Sequence, residues 1–320
     1  MEISEQYKNI LITGCAGFIG SSLLEKTLLE GKNIIGIDNF DPYYDIKLKK
    51  QNIANSLQNP SFKFYQGDIC DEKFLEKVFS ENKIDVVVHL AGCAGVRNSL
   101  KYPEKYVKTN IGGTVNILEK MVKYNIKRMV FASSSSVYGN CTAEKFREDL
   151  PLNQPISPYA ATKLSCEEFL YTYSKLYDIK TVCLRFFTVY GPKQRPDLAI
   201  RKFAESMLKD EPITVYGDGL SMRDYTYIDD IIDGVYSAIH YDKSPYEIIN
   251  LGGNNPIMLN DLIHLLEKAT GKKAIKEHLP MQTGDVIKTV SDITKAQNLL
   301  GYNPQTSFEQ GISKFIDWLR

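Results

Sequence analysis

The stretch Tyr159-Ala160-Ala161-Thr162-Lys163 sets a phenol and an ammonium four residues apart. On a helix that spacing projects both side chains from one face, so the ammonium stands near the phenol and favours phenolate. A tyrosine with an ordinary pKa of about 10, assisted in this way, can act as a general base toward a hydroxyl. Upstream, Ser133-Ser134-Ser135-Ser136-Val137-Tyr138-Gly139 ends a strand-like run and offers a serine hydroxyl to the same reacting oxygen. A tyrosine and a lysine on an ordinary amphipathic helix show the same spacing. The rest of the chain decides between the two.

A second group with chemistry is Gly14-Cys15-Ala16-Gly17-Phe18-Ile19-Gly20, lying between the apolar run Asn9-Ile10-Leu11-Ile12-Thr13 and a helical run over residues 21–29. The order is strand, glycine turn, helix. Gly14 tolerates positive φ, Gly17 lets a diphosphate approach the backbone, and Gly20 permits close packing of helix on strand. Unpaired amides at the helix start would hold the diphosphate. The next β-like run, Asn33-Ile34-Ile35-Gly36-Ile37, ends in Asp38, near the spacing of about 20 residues at which a carboxylate accepts from an adenosine ribose. A dinucleotide site is therefore predicted. Asp38 would repel a 2′-phosphate and has no neighbouring arginine, so the cofactor is expected to be NAD. An oxidised nicotinamide adds the positive charge that brings a phenol toward neutral pH.

These groups need a scaffold that delivers them to one edge. After Asp38, residues 39–50 read as a turn and a polar helix reaching about residue 55, an exposed insertion flanking the adenosine end. Further strand runs lie at 63–67, 85–92, 128–133 and 180–187, with a helix at about 71–80 between the first two. The run Asp85-Val86-Val87-Val88-His89-Leu90-Ala91-Gly92 is almost continuously apolar, as expected of a parallel strand buried on both faces. The alternation predicts an α/β fold with a doubly wound parallel sheet, binding its ligands beyond the carboxyl ends of the strands. Asp38, Asp68, Gly92, Ser134 and Thr188 fall at such ends. Residues 1–187 are expected to form the dinucleotide-binding domain, which also receives about 226–253 through a helix capped by Asp229 or Asp230 and the strand run at 246–253. A smaller mixed α/β lobe is expected from 188–225 and 254–320.

Composition excludes several classes. Lys plus Arg and Asp plus Glu both number 39 in a chain of 320 residues, so no strong field points to nucleic acid or an anionic membrane. No apolar run approaches the roughly 20 residues of a membrane span, and residues 1–6 do not resemble a signal peptide, so a cytoplasmic protein is expected. The six cysteines form no C-x-x-C pair and read as reduced core residues. The four histidines show no ligand spacing, so no metal site is expected, and His89 reads as a hydrogen-bonded structural group.

With these motifs assembled, the sequence resembles the extended short-chain dehydrogenase/reductases, in particular the nucleotide-sugar epimerase/dehydratase family, over essentially its whole length. The resemblance implies Tyr159 as the base, Lys163 as the residue that positions the nicotinamide ribose, and Ser134, counted back from Val137-Tyr138-Gly139, as the third catalytic member. It implies dinucleotide contacts from Gly14, Gly17, Phe18, Ile19, Gly20, Asp38, Asn39, Asp68, Ile69, Leu90, Ala91, Gly92 and Asn110, besides Tyr159 and Lys163. Dehydratases of the family carry acids at the two positions held here by Ser135-Ser136. Elimination then lacks its acid, and oxidation followed by re-reduction at C4 fits better.

The runs 185–197, 38–48 and 280–286 resemble UDP-glucuronate 4-epimerases, which implies a UDP-sugar substrate. A C6 carboxylate would meet Ser135, Ser136 and Thr188 hydroxyls with Arg195 nearby. Arg195 reads alternatively as a solvated loop charge. Arg223 matches the family's diphosphate-binding arginine, its alternative being a surface pair with Asp224. Arg97, Gln282 and Asp285 complete the implied substrate contacts. A 4-epimerase for UDP-glucose or UDP-N-acetylglucosamine stays open, since the small Thr289 would not exclude an N-acetyl group. A non-catalytic NAD-binding regulator is disfavoured because Tyr159 and Lys163 both stand. The resemblance also implies a homodimer built from helices at about 102–124 and 158–177, the second of which bears Phe169, Leu170, Tyr171, Tyr173 and Leu176. Burial of those residues within one subunit would look the same in sequence.

Overall fold

The computed structural model describes residues 7–152, 154–280 and 286–320. The first half alternates strand and helix: β1 (Asn9–Thr13), α1 (Phe18–Leu29), β2 (Asn33–Asp38), α2 (Ile46–Ile53), β3 (Phe62–Gln66), α3 (Glu72–Glu81) and β4 (Val86–His89). Then come α4 (Val96–Lys101), α5 (Pro103–Tyr106), a π-helical turn (Val107–Gly112), α6 (Gly113–Lys123), β5 (Arg128–Ser134), α7 (Pro158–Tyr177) and β6 (Lys180–Phe186). The second half holds shorter elements, β7 (Thr188–Tyr190), α8 (Ala199–Leu208), β8 (Ile213–Tyr216), β9 (Met222–Tyr227), α9 (Ile228–His240) and β10 (Tyr246–Leu251). It ends with β11 (Pro256–Met258), α10 (Leu259–Thr270), β12 (Lys276–Leu279), α11 (Thr294–Leu300) and α12 (Phe308–Leu319).

Seven strands form one parallel sheet in the order β10-β6-β5-β4-β1-β2-β3. Alternate residues of each strand feed opposite cores, as the pleat dictates. Ile10, Ile12, Val86, Val88, Val130 and Val182 pack with α1 and α9, whereas Leu11, Val87, Met129 and Cys183 pack with α3, α6 and α7. Burial on both faces explains why these strands are continuously apolar. The chain runs outward from β1 to β3 on one side and from β4 to β10 on the other, so the crevice between β1 and β4 is the switch point at which such sheets bind ligands. Two small sheets, β11-β9-β7 and β12-β8, lie apart from the main one.

The strand at 246–251 joins the large sheet beside β6, as expected. The capping of α9 differs from expectation. Its N-cap is Tyr227, because β9 runs straight into the helix, and Asp229 and Asp230 fall in the first turn. Asp230 accepts from the Gln305 and Thr306 amides (2.9 and 3.2 Å), tying the C-terminal segment to α9. The insertion after β2 is also less exposed than its composition predicts. Lys49 and Ile53 are buried, and Asn52 donates to the Ala16 carbonyl (3.0 Å), so α2 packs on the glycine turn. Among the described residues no helix is long and apolar enough to cross a membrane, and no cluster of His, Cys, Asp and Glu could hold a metal ion.

Candidate active site

A cavity of about 600 Å³ opens along the carboxyl edge of the large sheet. At one end stands the glycine turn. Gly14 has φ +72°, and the N-cap of α1, Gly17, offers no side-chain cap, which leaves the first amides of the helix facing the cavity. Asp38 ends β2, and its carboxylate accepts from the Ala16 and Phe40 amides (3.1 and 2.8 Å). Burial raises its pKa, against the opposing pull of the Lys49 ammonium and the two amides. Asn39 donates to Asp68 (2.9 Å), which joins the ends of β2 and β3. Bare amides followed by a carboxylate suit a diphosphate and a ribose in that order, so the residues fit a dinucleotide.

At the other end lie Ser134, Ser135, Ser136, Tyr159, Lys163 and Thr188. Ser157 caps α7 by accepting from the Ala160 amide (3.1 Å), so the helix starts at Pro158, the residue before Tyr159. Lys163 is buried, donates to the Ala132 carbonyl (2.7 Å) and lies 4.8 Å from the Phe131 ring centroid. One of its three N–H donors is spent there, leaving two for the cavity. The Tyr159 ring meets Tyr106 edge-on with centroids 6.2 Å apart. Ser134 Oγ accepts from the Ser136 amide and donates to Ser136 Oγ, both at 3.1 Å, so its hydroxyl sits at the mouth of a short 3₁₀ turn.

Of the residues named from the sequence, Gly14, Gly17, Phe18, Ile19, Gly20, Asp38, Asn39, Asp68, Ile69, Leu90, Ala91 and Gly92 line this cavity together with the hydroxyl group above and Arg195. Asn110 does not line it but acts just behind. Carried on the π-helical turn, it accepts from the Cys93 amide (2.7 Å) and donates to the Cys93 carbonyl and Thr162 Oγ1 (both 3.0 Å), coupling the exit of β4 to α7. Arg97 and Arg223 lie outside the lining. Arg97 stacks on Tyr216 at 4.9 Å, and Arg223 donates to the Met222 and Ile287 carbonyls (2.9 and 3.4 Å). The expected alternative pairing through Asp224 is not what that carboxylate does. Asp224 is fully buried and accepts from the Ser291, Gly253 and Asn254 amides. Gln282 and Asp285 lie outside the described residues.

Arg195 is no solvated loop charge. Its guanidinium is paired with Asp197 through two hydrogen bonds (2.9 and 2.7 Å) and stacked over Tyr43 at 5.5 Å, and Tyr43 also donates to Asp197 (3.0 Å). Lys49 and Tyr106 also line the cavity without having been named. A lysine in a polar helix reads as surface, and no local pattern marks it; Tyr106 ends α5 immediately before the π turn, whose start has no sequence signature.

His89 bridges Thr13 (Nδ1 to Oγ1, 2.6 Å) and Thr114 (Nε2 to Oγ1, 3.1 Å). Because Thr114 donates onward to the Asn110 carbonyl, Nε2 carries the proton and Nδ1 accepts from Thr13. Burial, with Lys163 nearby, lowers its pKa to about 3, in keeping with a structural role.

With the geometry in view, comparison places the chain among known proteins. Residues 11–315 match the family model described as GDP-mannose 4,6 dehydratase. The chain belongs to this nucleotide-sugar epimerase/dehydratase family. It is 44% identical over 309 residues to the UDP-glucuronate 4-epimerase of Thermodesulfobacterium geofontis, covering 96% of this chain and 95% of the relative. The crystal structure of UDP-glucuronic acid 4-epimerase from Bacillus cereus in complex with UDP-glucuronic acid and NAD is 40% identical with a TM-score of 0.90, covering 97% of this chain and 98% of the other. The UDP-glucose 4-epimerase of Thermotoga maritima with UDP-glucose is 34% identical, also with a TM-score of 0.90 and coverage of 97% and 98%.

The neutral, buried His89 predicts an acid-sensitive fold. Below about pH 6.5 the unfolded chain takes up a proton that the folded chain refuses, so stability falls with pH by up to about 1.4 kcal/mol per unit until about pH 3. Urea unfolding from pH 7 to pH 4 should show a shallower decline for His89→Gln than for wild type; parallel curves would remove His89 as the cause.

Proposed function

We propose that this chain is an NAD-dependent UDP-glucuronate 4-epimerase, interconverting UDP-glucuronate and UDP-galacturonate through a 4-keto sugar. The observation that carries the reading is the distribution of acids along the cavity. Among the described residues its lining carboxylates are Asp38, Asp41 and Asp68, all at or beyond the ends of β2 and β3, while the Tyr159 end offers hydroxyls and cations. Elimination of a sugar hydroxyl lacks an acid there, which argues against the dehydratase reaction named for the family model. The similarity to UDP-glucuronate 4-epimerases supports the same choice.

When bound, NAD supplies a reversible acceptor for the C4 hydrogen. Tyr159 as phenolate takes the C4 hydroxyl proton and later returns it. Lys163, anchored on the Ala132 carbonyl, keeps the phenolate favourable with a remaining donor and offers the other to the nicotinamide ribose. Ser134 donates to the same sugar oxygen. Between the two proton transfers the keto sugar turns its other face. Asp38 accepts from the adenosine ribose, and the first amides of α1 hold the diphosphate of the dinucleotide. Ser135, Ser136 and Thr188 meet the C6 carboxylate, with Arg195 supplying a charge already shared with Asp197. That sharing is the observation favouring the second reading, a 4-epimerase of a neutral UDP-hexose.

Residues 188–225 and 254–320 form the sugar-nucleotide lobe of this proposal, and Arg223, Gln282 and Asp285 of that lobe, with Arg97 from the other domain, are its proposed UDP contacts. The enzyme works as a cytoplasmic homodimer: Phe169, Tyr171 and Leu176 of α7 stay 40–68% exposed on the single chain, and the six free cysteines suit a reducing compartment.

Turnover of UDP-glucuronate, UDP-glucose and UDP-N-acetylglucosamine by wild type and Tyr159→Phe tests this reading. UDP-glucuronate should be preferred, and the variant should lose at least about a hundredfold in kcat. Equal rates for the two proteins would remove the mechanism, and preference for a neutral hexose would select the second reading. For the cofactor, Asp38→Asn should weaken NAD binding by about tenfold or more and improve NADP binding, since Lys49 then faces a 2′-phosphate without competition. Titration of the NAD-stripped chain with both dinucleotides measures this, and an unchanged NAD-to-NADP ratio contradicts the role.

A further inference from the structure

Behind the Tyr159 end of the cavity lies an ion pair that the chemistry above does not use. Glu167 and Arg185 are 1% and 2% exposed. They meet through two hydrogen bonds, Nη2 to Oε2 at 2.7 Å and Nε to Oε1 at 3.0 Å. Glu167 also accepts from the Ser133 hydroxyl. Arg185 donates through Nη1 to the Tyr138 hydroxyl (3.0 Å) and stacks on that ring at 4.9 Å, while Tyr138 donates to Asn250 (2.8 Å).

The partners fall at telling places in the chain. Glu167 follows Tyr159 by eight residues and Lys163 by four, on the same face of α7. Ser133 immediately precedes Ser134 and is paired across the sheet with Arg185, as Ser134 is with Phe186. Tyr138 closes the 3₁₀ turn that Ser134 opens. One carboxylate and one guanidinium thus bind together the helix carrying the base, the strand end carrying the third hydroxyl, and the turn between them.

Stability is a poor reason for such a pair. Taking both charges out of water costs about as much as their attraction returns, and apolar residues of similar volume often serve the fold as well or better. What an apolar pair cannot do is fix direction, since dispersion contacts tolerate sliding whereas a two-pronged guanidinium–carboxylate contact does not. We infer that Glu167 and Arg185 are positioning residues, holding α7 at the depth and axial register that bring Tyr159 and Ser134 onto one sugar oxygen, with Tyr138 extending the grip to the serine turn. The inference rests on the epimerase reading for its chemistry but not for its choice of sugar.

The test replaces the pair with an apolar one, Glu167→Leu with Arg185→Met, and compares it with Tyr138→Phe, which leaves the ion pair intact and changes a residue outside the cavity lining. Kinetics are followed on whichever UDP-sugar the wild-type holoenzyme turns over. The double variant should keep its Tm within a few degrees and its KM within twofold, while kcat falls by about tenfold to a hundredfold. Tyr138→Phe should lose about threefold or more in kcat alone. Amide hydrogen exchange at residues 133–138 should quicken in both variants without a change in the slowest-exchanging strands. Values of kcat within twofold of wild type in well-folded variants, or losses in KM alone, overturn the inference. Should the double variant fail to fold, Tyr138→Phe decides by the same criteria. If wild type turns over none of the sugars, the epimerase reading fails separately and exchange at 133–138 decides whether the pair orders that turn.

Discussion

The site depends on how closely helix α1 can approach the ends of β1 and β4. A Cβ on Gly20 would stand 2.0 Å from the Gly14 carbonyl oxygen, and one on Gly14 would stand 2.8 Å from the Ala91 amide nitrogen. Any side chain at either place would push helix and sheet apart. With glycine at both, the uncapped amides of α1 come to the mouth of the crevice between the two strands. Parallel strands then bring Asp38, Asp68, Gly92, Ser134 and Thr188 to the same edge, because each ends where its neighbour does.

That edge separates its chemistry by position. Among the described lining residues, carboxylates gather at and beyond the ends of β2 and β3, and hydroxyls with Lys163 and Arg195 gather beyond β5 and β6. A chain of zero formal net charge can therefore hold an anionic ligand without a basic surface, using oriented amides and a few local cations. Helix α7 makes the second half of the arrangement possible. It is capped by Ser157, anchored by Lys163 on the Ala132 carbonyl and coupled through Thr162 to Asn110, so the phenol of Tyr159 is carried on an element held at several points.

Much of this was legible in the sequence, for reasons that differ by residue. The strands could be read because burial on both faces leaves unbroken apolar runs, and the glycine turn because three glycines at that spacing answer a steric demand. Helix α7, read as residues 158–177, has those bounds, since Ser157 and Pro158 mark its start. The start of α9 is not where two cap-like aspartates suggest, because β9 continues into the helix and puts Tyr227, whose side chain makes no capping bond, in the N-cap place. Lys49 escaped notice because a lysine among polar residues looks solvated. The hydrogen bond from Tyr43 to Asp197, which links Tyr43 to Arg195, joins residues 154 positions apart, which no local pattern records. The π-helical turn that aims Asn110 has no signature in residue type either.

The central claim is that one hydrogen leaves C4 and returns to it without meeting water. Turnover of UDP-glucuronate deuterated at C4, in ordinary water and with no added dinucleotide, tests this most directly. The account predicts UDP-galacturonate with its deuterium still at C4. Loss of that label to solvent as product forms would contradict it.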